Sequence, residues 1–496
     1  MTIRTIRHTA TRALAAGALL LGLGLAACSQ PEAEPLLPTG ASAVTRHEGA
    51  FHGQVLAYEA HVETTLLPGE DGGTAGRMVT TSYIAEGAGG AAARPVLFLF
   101  NGGPGASTTP LHFGAFGPMR RFGSGETAYL QPNPDSLLDV ADLVFIDPVG
   151  TGFSIPEDEG DGALFWSREG DARSVASVIE AWLQRHGREA SPRYLLGQSY
   201  GTVRAAEIAR LAPDLGFDGI LLFALVSNNR QGELDYAVRF PSMAATAWYH
   251  ERIARDEDID AVFAQAVDFV NEVYIPALEA GDALEDAQRQ AVATAMSDMI
   301  GLPADFIAEK DLHLSNRDFM LTLLEDEGLR TGQLDTRATA RLDAPARRPP
   351  YDDPGLSYHP GEPAEPVGEP ALVFDPEQYG SIVEAYYGEM LGFAPARPYR
   401  ALNLDVNAAW DHQGFPPAIP YLATAMEADD GLRLFWAAGY YDLSTPAYGG
   451  RYALDAAGIP AERLTAAYFP AGHSVFVGEE NRALLGDALR DFLDAR

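Results

Sequence analysis

The chain has 496 residues, 69 of them acidic and 35 basic, for a formal net charge of −34. Such a surface repels nucleic acid and anionic headgroups and argues against both as partners. Hydrophobic residues at 47% and charged residues at 21% exclude a disordered chain and suit a large globular domain with an insertion.

At the N-terminus, Arg4, Arg7 and Arg12 surround the start of an apolar segment, Ala13 to Leu25. It is too short and too rich in glycine for a membrane span. It ends in Leu25-Ala26-Ala27-Cys28, which resembles a bacterial lipobox. The resemblance implies that residues 1–27 are a signal peptide and that Cys28 carries a diacylglyceryl thioether. With an N-acyl chain, that lipid anchors stably. An ordinary signal peptide cleaved nearby is the alternative. Ser29 after Cys28 resembles the outer-membrane pattern, so the expected location is the bacterial cell envelope. Cys28 is the sole cysteine, which excludes an intrachain disulfide. Residues 28–45 are polar and proline-bearing and are expected to form a flexible tether.

Short apolar runs follow, each ending at a turn-forming residue. They are Pro95 to Phe100, Leu143 to Ile146, Tyr194 to Leu196, Ile220 to Val226, Leu432 to Ala438 and Leu464 to Phe469. Runs apolar on both faces suit strands covered on both sides. Helical patterns lie between them at Asp171 to Gln184 and Thr202 to Leu211. This alternation predicts an α/β fold with a mostly parallel central sheet. Residues 46–230 and 400–496 are expected to form the catalytic domain. Strand signals lapse between, so residues 231–399 are expected to be a helical cap insertion, with a proline-rich exposed loop over 345–370.

Gly197-Gln198-Ser199-Tyr200-Gly201 falls between a strand and a helix, the setting that gives G-x-S-x-G its meaning. The sharp turn lifts the serine hydroxyl above the sheet, and the helix N-terminus behind it supplies free N–H groups. A serine needs a histidine base oriented by a carboxylate, in the order Ser, Asp, His for this fold. Asp442 and His473 follow the last two strands in that order. The N–H of Tyr200 and the glycine-rich turn Asn101-Gly102-Gly103-Pro104-Gly105 are candidates for an oxyanion hole. These residues predict the α/β-hydrolase fold. No metal or cofactor is expected, because the histidines are scattered.

The string Asn101 to Gly105, the string Asp147-Pro148-Val149-Gly150-Thr151-Gly152-Phe153-Ser154, the Ser199 turn, Asp442 and Gly472-His473 together resemble the serine carboxypeptidase family, and its bacterial members in particular. The resemblance implies Ser199 as nucleophile, His473 as base, Asp442 as its orienter, and the N–H groups of Gly103 and Tyr200 as oxyanion donors. It implies peptide substrates whose C-terminal carboxylate Asn101 helps to bind. The family's carboxyl pair is missing, since Gln198 and Ala115 stand in its places, and Ala106 occupies a position that is often cysteine. Asn101, Gln198 and either Arg120 or Arg121 are expected to replace that pair, an arginine fork being a good match for carboxylate; the alternative is that both arginines merely offset nearby acidic surface. Two other functions share these residues: an esterase or acyltransferase with the same triad, and a non-catalytic surface binding protein.

Overall fold

The computed structural model describes residues 37–87, 93–123, 128–227, 232–344, 348–356, 376–411 and 418–495. Cys28 and the apolar segment before it lie outside these residues. Strands β1 (Thr39–Phe51), β2 (Gln54–Pro68) and β3 (Thr74–Ala85) form an antiparallel meander. After β4 (Val96–Phe100) comes a small hairpin of β5 (Met119–Phe122) and β6 (Tyr129–Pro132). Then follow β7 (Asp142–Asp147), the short β8 (Ile155–Pro156), β9 (Arg193–Gln198) and β10 (Gly219–Phe223). A second hairpin, β11 (Leu329–Thr331) and β12 (Thr339–Arg341), lies within the insertion. Strands β13 (Arg433–Gly439) and β14 (Leu464–Phe469) complete the sheet, in the order β1-β2-β3-β7-β4-β9-β10-β13-β14. From β7 to β14 every neighbour is parallel. The six expected apolar runs all supply these parallel strands.

Except at the edge strand β14, where only Phe469 is buried, their composition follows from burial on both faces. On β4, Val96, Phe98 and Phe100 join one core with Val178 and Trp182 of the helix Arg168–Arg185 and Val203 of the helix Tyr200–Leu211. Leu97 and Leu99 face the opposite core, with Phe113, Leu485 and Phe492. The helices sit where their patterns predicted them.

The N-terminal meander differs from the sequence expectation. The stretch expected to be a tether up to residue 45 enters β1 at Thr39. Only one face of β1 is even half-buried, so it carries no strong apolar alternation. It is held by backbone pairing with β2, from Thr39 opposite Thr65 to Phe51 opposite Gln54. Such a ladder leaves little trace in composition.

The insertion divides between the two faces. Its helices Phe240–Tyr249, Ile259–Phe269 and Asp286–Ile300 join the first core through Phe240, Ala266 and Met296. The helix Pro376–Glu389 joins the second through Val383, Tyr386 and Tyr387. There Tyr387 and Thr81 share a 2.6 Å hydrogen bond and Tyr386 approaches Tyr83 at 3.1 Å. Among the described residues, no helix is long and apolar enough to cross a membrane.

Candidate active site

Ser199 stands between β9 and the helix Tyr200–Leu211 with φ at +58° and ψ at −128°. A non-glycine residue pays for that conformation in strain, which the surrounding structure must hold. Here it is held from both sides. The Ser199 N–H donates to Phe223 O at 2.9 Å, and Thr202 donates from its N–H and its hydroxyl to Ser199 O. The glycines flanking the turn are required by close packing: a side chain at Gly197 would strike the backbone of Gly201, and one at Gly201 would strike that of Phe100.

The glycine-rich turn after β4 lies against this one. A Cβ on Gly102 would press on the backbone nitrogens of Tyr200 and Gly201. Gly103, with φ at +100°, follows directly. The backbone near Gly103 and the Tyr200 N–H are therefore neighbours, as an oxyanion hole requires. The turn is braced by buried groups. Arg204 donates to Asp171 Oδ2 at 2.7 Å and to Asn101 O at 2.5 Å, with its guanidinium lying over Phe100 and Tyr200. Burial raises the Asp171 carboxyl while Arg204 pulls it back.

The string Asp147 to Ser154 is a brace of the same kind. Asp147 Oδ1 accepts from the N–H and hydroxyl of Thr108, both at 2.8 Å, and Oδ2 accepts from Tyr399 at 2.9 Å. Gly152 packs against this carboxylate so closely that no side chain fits. Asn403 then joins both strings, donating from Nδ2 to Gly150 O at 2.8 Å and from its N–H to Gly105 O at 2.7 Å.

Asp442 is fully buried in the loop after β13, and His473 lies in the loop after β14. Their link is a 2.8 Å hydrogen bond from His473 Nδ1 to Asp442 Oδ2. Asp442 also accepts from the Ser444 N–H, the Thr445 N–H and the Thr445 hydroxyl. Four donors fix the plane of the carboxylate. Burial depresses the His473 pKa, but the charge of Asp442, its hydrogen bond and the charge of Asp353 outweigh that, so the net shift is upward. A hydrogen bond at Nδ1 assigns the proton there and leaves Nε2 as the basic atom.

Gln198 connects the serine turn to the histidine loop. Its Nε2 donates to His473 O at 3.0 Å and to Ser474 Oγ at 3.1 Å. Its Oε1 accepts from Asn101 Nδ2 at 2.7 Å, and Asn101 Oδ1 in turn accepts from the Leu111 N–H at 3.3 Å. The structure thus brings Asn101 and Gln198 together, next to Ser199, but both Gln198 N–H groups are already used. The expected arginine fork is not formed with them. Arg120 is buried, donates to Asp135 Oδ2 at 2.7 Å and lies over Phe122. Arg121 follows on the same strand and alternates to its other face. The reason is local: residues 119–122 pair into the β5–β6 hairpin, and Asp135 just beyond it captures Arg120.

Sequence reasoning missed Arg204 with Asp171, and missed the insertion segment behind His473. A lone arginine on the packed face of the helix Tyr200–Leu211 was the available signal for the first. Among the described residues, no group of histidine, cysteine and carboxylate side chains could hold a metal ion.

Residues 83–263 match the family described as serine carboxypeptidase. "Serine carboxypeptidase-like 36" of Arabidopsis thaliana is 30% identical over 160 residues, which is 29% of this chain and 31% of that protein. "Serine carboxypeptidase ctsa-3.2" of Caenorhabditis elegans is 23% identical over 173 residues, 33% of this chain and 32% of that one. The chain thus spans about a third of the length of these curated relatives. Among solved structures, the prohormone-processing carboxypeptidase Kex1 of Saccharomyces cerevisiae superposes with a TM-score of 0.55 at 15% identity, covering 88% of this chain and 91% of that one, a likeness of fold. Within an α/β-hydrolase fold, residues 83–263 of the chain are thus similar to the serine carboxypeptidase family.

Proposed function

We propose that the protein is a serine-type carboxypeptidase that removes residues from peptide C-termini through an acyl-enzyme. The observation that carries this reading is the strained Ser199 turn tied through Gln198 to the backbone of a histidine that is itself bonded to buried Asp442. Ser199 Oγ attacks the scissile carbonyl while His473 Nε2 takes its proton. The N–H groups of Gly103 and Tyr200 receive the negative charge that develops on the carbonyl oxygen. His473 then gives its proton to the departing amine. Water, activated by the same imidazole, attacks the acyl-enzyme and frees Ser199. The family match supports peptides as substrates.

Peptides with free C-termini are expected to shorten one residue at a time by mass spectrometry, and their C-terminally amidated counterparts to react more slowly. Equal rates for the two series would overturn the exopeptidase reading. A second reading, an esterase or acyltransferase with the same triad, is favoured by one observation: Arg120 is engaged by Asp135, so the expected cationic fork for a peptide carboxylate is absent from Asn101 and Gln198. Faster turnover of neutral esters than of any peptide would support it. We further propose export and lipid anchoring in the cell envelope through Cys28, on the strength of Leu25-Ala26-Ala27-Cys28. The mass of the N-terminal peptide checks this, and an unacylated Cys28 in protein purified from its host overturns it.

A further inference from the structure

The insertion reaches behind the Asp442–His473 pair and touches both loops that carry it. Residues 333–337 form a strap between β11 and β12. On one side, the Leu443 N–H donates to Gln333 O and the Thr336 N–H donates to Tyr441 O, each at 3.0 Å, gripping the Asp442 loop before and after the aspartate. On the other, the His473 N–H donates to Leu334 O at 2.7 Å, and Arg337 Nη1 donates to Pro470 O at 2.7 Å. The fit is tight, since a side chain on Gly472 would run into Leu334 O and Asp335. His473 is thus held through its N–H by the strap and through its carbonyl by Gln198.

The strap is in turn fastened by one side chain. The carboxylate of Asp353 accepts from the N–H groups of Leu334 at 2.9 Å, Gln333 at 3.1 Å and Gly355 at 2.8 Å. A Cβ on Gly332 or Gly355 would crowd this carboxylate, so both glycines are part of its seat. The strap's own side chains are engaged too. Asp335 pairs with Arg337 at 2.7 Å, and Thr336 bonds Thr246 of the insertion helix at 2.6 Å.

We propose that Asp353 is a positioning residue for catalysis: by pinning Gln333 and Leu334 it sets the strap, and the strap aligns the Asp442 and His473 loops for proton transfer from Ser199. This rests on the reading of Ser199, Asp442 and His473 as a triad. Displacing a catalytic group by about 1 Å can cost roughly a hundredfold in rate. A carboxylate of the insertion, two hydrogen bonds from His473 by way of Leu334, therefore governs the base without touching substrate. It also acts at a distance through its charge, which favours the imidazolium form of His473. The charged groups facing His473 are Asp442 from the loop after β13, and Asp353 with the Asp335–Arg337 pair from the insertion. Burial raises the Asp353 carboxyl, while the N–H donors of Gly355, Leu334 and Gln333 and the charge of Arg330 pull it part of the way back.

The test uses the full chain and the rate at which a fluorophosphonate labels Ser199, measured from pH 4 to 9 beside the thermal midpoint. Labelling needs the triad and no peptide recognition, so it separates this proposal from the choice of substrate. Asp353→Asn is expected to slow labelling by about tenfold to a hundredfold. Its acid limb should move to lower pH, because removing a negative charge lowers the His473 pKa and keeps the base neutral further into acid. A purely structural role would leave that limb in place. Asp353→Glu, which keeps the charge but displaces it, should slow labelling while retaining the wild-type limb. Arg337→Gln, which leaves Asp353 intact and removes the Nη1 bond to Pro470 O, should slow labelling by a few-fold and keeps the proposal open to refutation if the Asn variant does not fold. A wild-type rate or an unmoved acid limb in Asp353→Asn, or a wild-type rate in Arg337→Gln when the Asn variant does not fold, would overturn the proposal. A wild-type protein that is never labelled would overturn the triad itself.

Discussion

The two halves of the candidate site are held in different ways. The Ser199 half is built mainly from β9, the helix after it and the turn after β4, with Asn403 bracing that turn from a later segment. The His473 half depends on a segment more than a hundred residues away, the strap at 333–337, and on Gln198. The geometry of the Ser199 turn is therefore set mainly by the sheet, while that of His473 is shared between sheet and insertion. A site divided in this way has two kinds of fragile point, and substitutions on each side should behave differently.

The largest expected effect is on the nucleophile. Ser199→Ala should lower turnover by about 10⁶-fold with little change in the unfolding temperature, since one member of a cooperative triad carries most of its effect. Steady-state rates of rigorously separated protein check it, and near-normal turnover would remove the mechanism. Asp442→Asn comes next, at roughly 10⁴-fold, because an amide at that place favours the wrong tautomer of His473. A loss under tenfold would mean that Thr445 and the strap orient the ring by themselves.

Gly102→Ala tests the sheet side without touching a reacting atom. Its methyl would press on the Tyr200 and Gly201 nitrogens. Losing one oxyanion donor costs about 10²- to 10³-fold, mostly in kcat. If KM changed instead and kcat held, the turn would be a binding surface rather than an oxyanion hole.

The smallest effect concerns stability rather than rate, and it lies in the opposite core. His112 is buried between the rings of Phe113 and Phe145, with Nε2 bonded to Tyr83 Oη at 2.7 Å. Burial lowers its pKa to about 3. The unfolded chain takes up a proton near pH 6.5 that the folded one refuses, so this contribution is whole above about pH 6.5 and is lost as pH falls towards 3. The slope is about 1.4 kcal/mol per pH unit in that window. His112→Gln should flatten the fall in denaturant midpoint between pH 6 and 4. An unchanged slope would assign the acid sensitivity to other groups.

The sheet side was the legible side. β4, β7, β9, β10, β13 and β14 are apolar on both faces, so their sequences carry the parallel sheet openly, and the turn residues follow at their ends. The order of Ser199, Asp442 and His473 came from the same strand ends. β1 was hidden because a solvent-facing edge strand is held by its ladder and not by apolar alternation. The strap was hidden for a related reason. Gln333 to Thr336 act through backbone groups, which every sequence possesses, and Asp353 lies in a stretch whose prolines suggest an exposed loop. Arg120 misled because a charged side chain advertises its chemistry but not its partner, and Asp135 lies fifteen residues on.

The division of the site also gives it a history in time. Chains emerge from the ribosome N-terminus first, and β4, β7, β9 and β10, with the Ser199 turn, are all present by residue 223. The strap, Asp353, Asp442 and His473 arrive only later. Until they do, the nascent chain carries a poised serine with no base to activate it. If the three residues act as a triad, activation of Ser199 waits for synthesis to reach the last strand and for the insertion to dock.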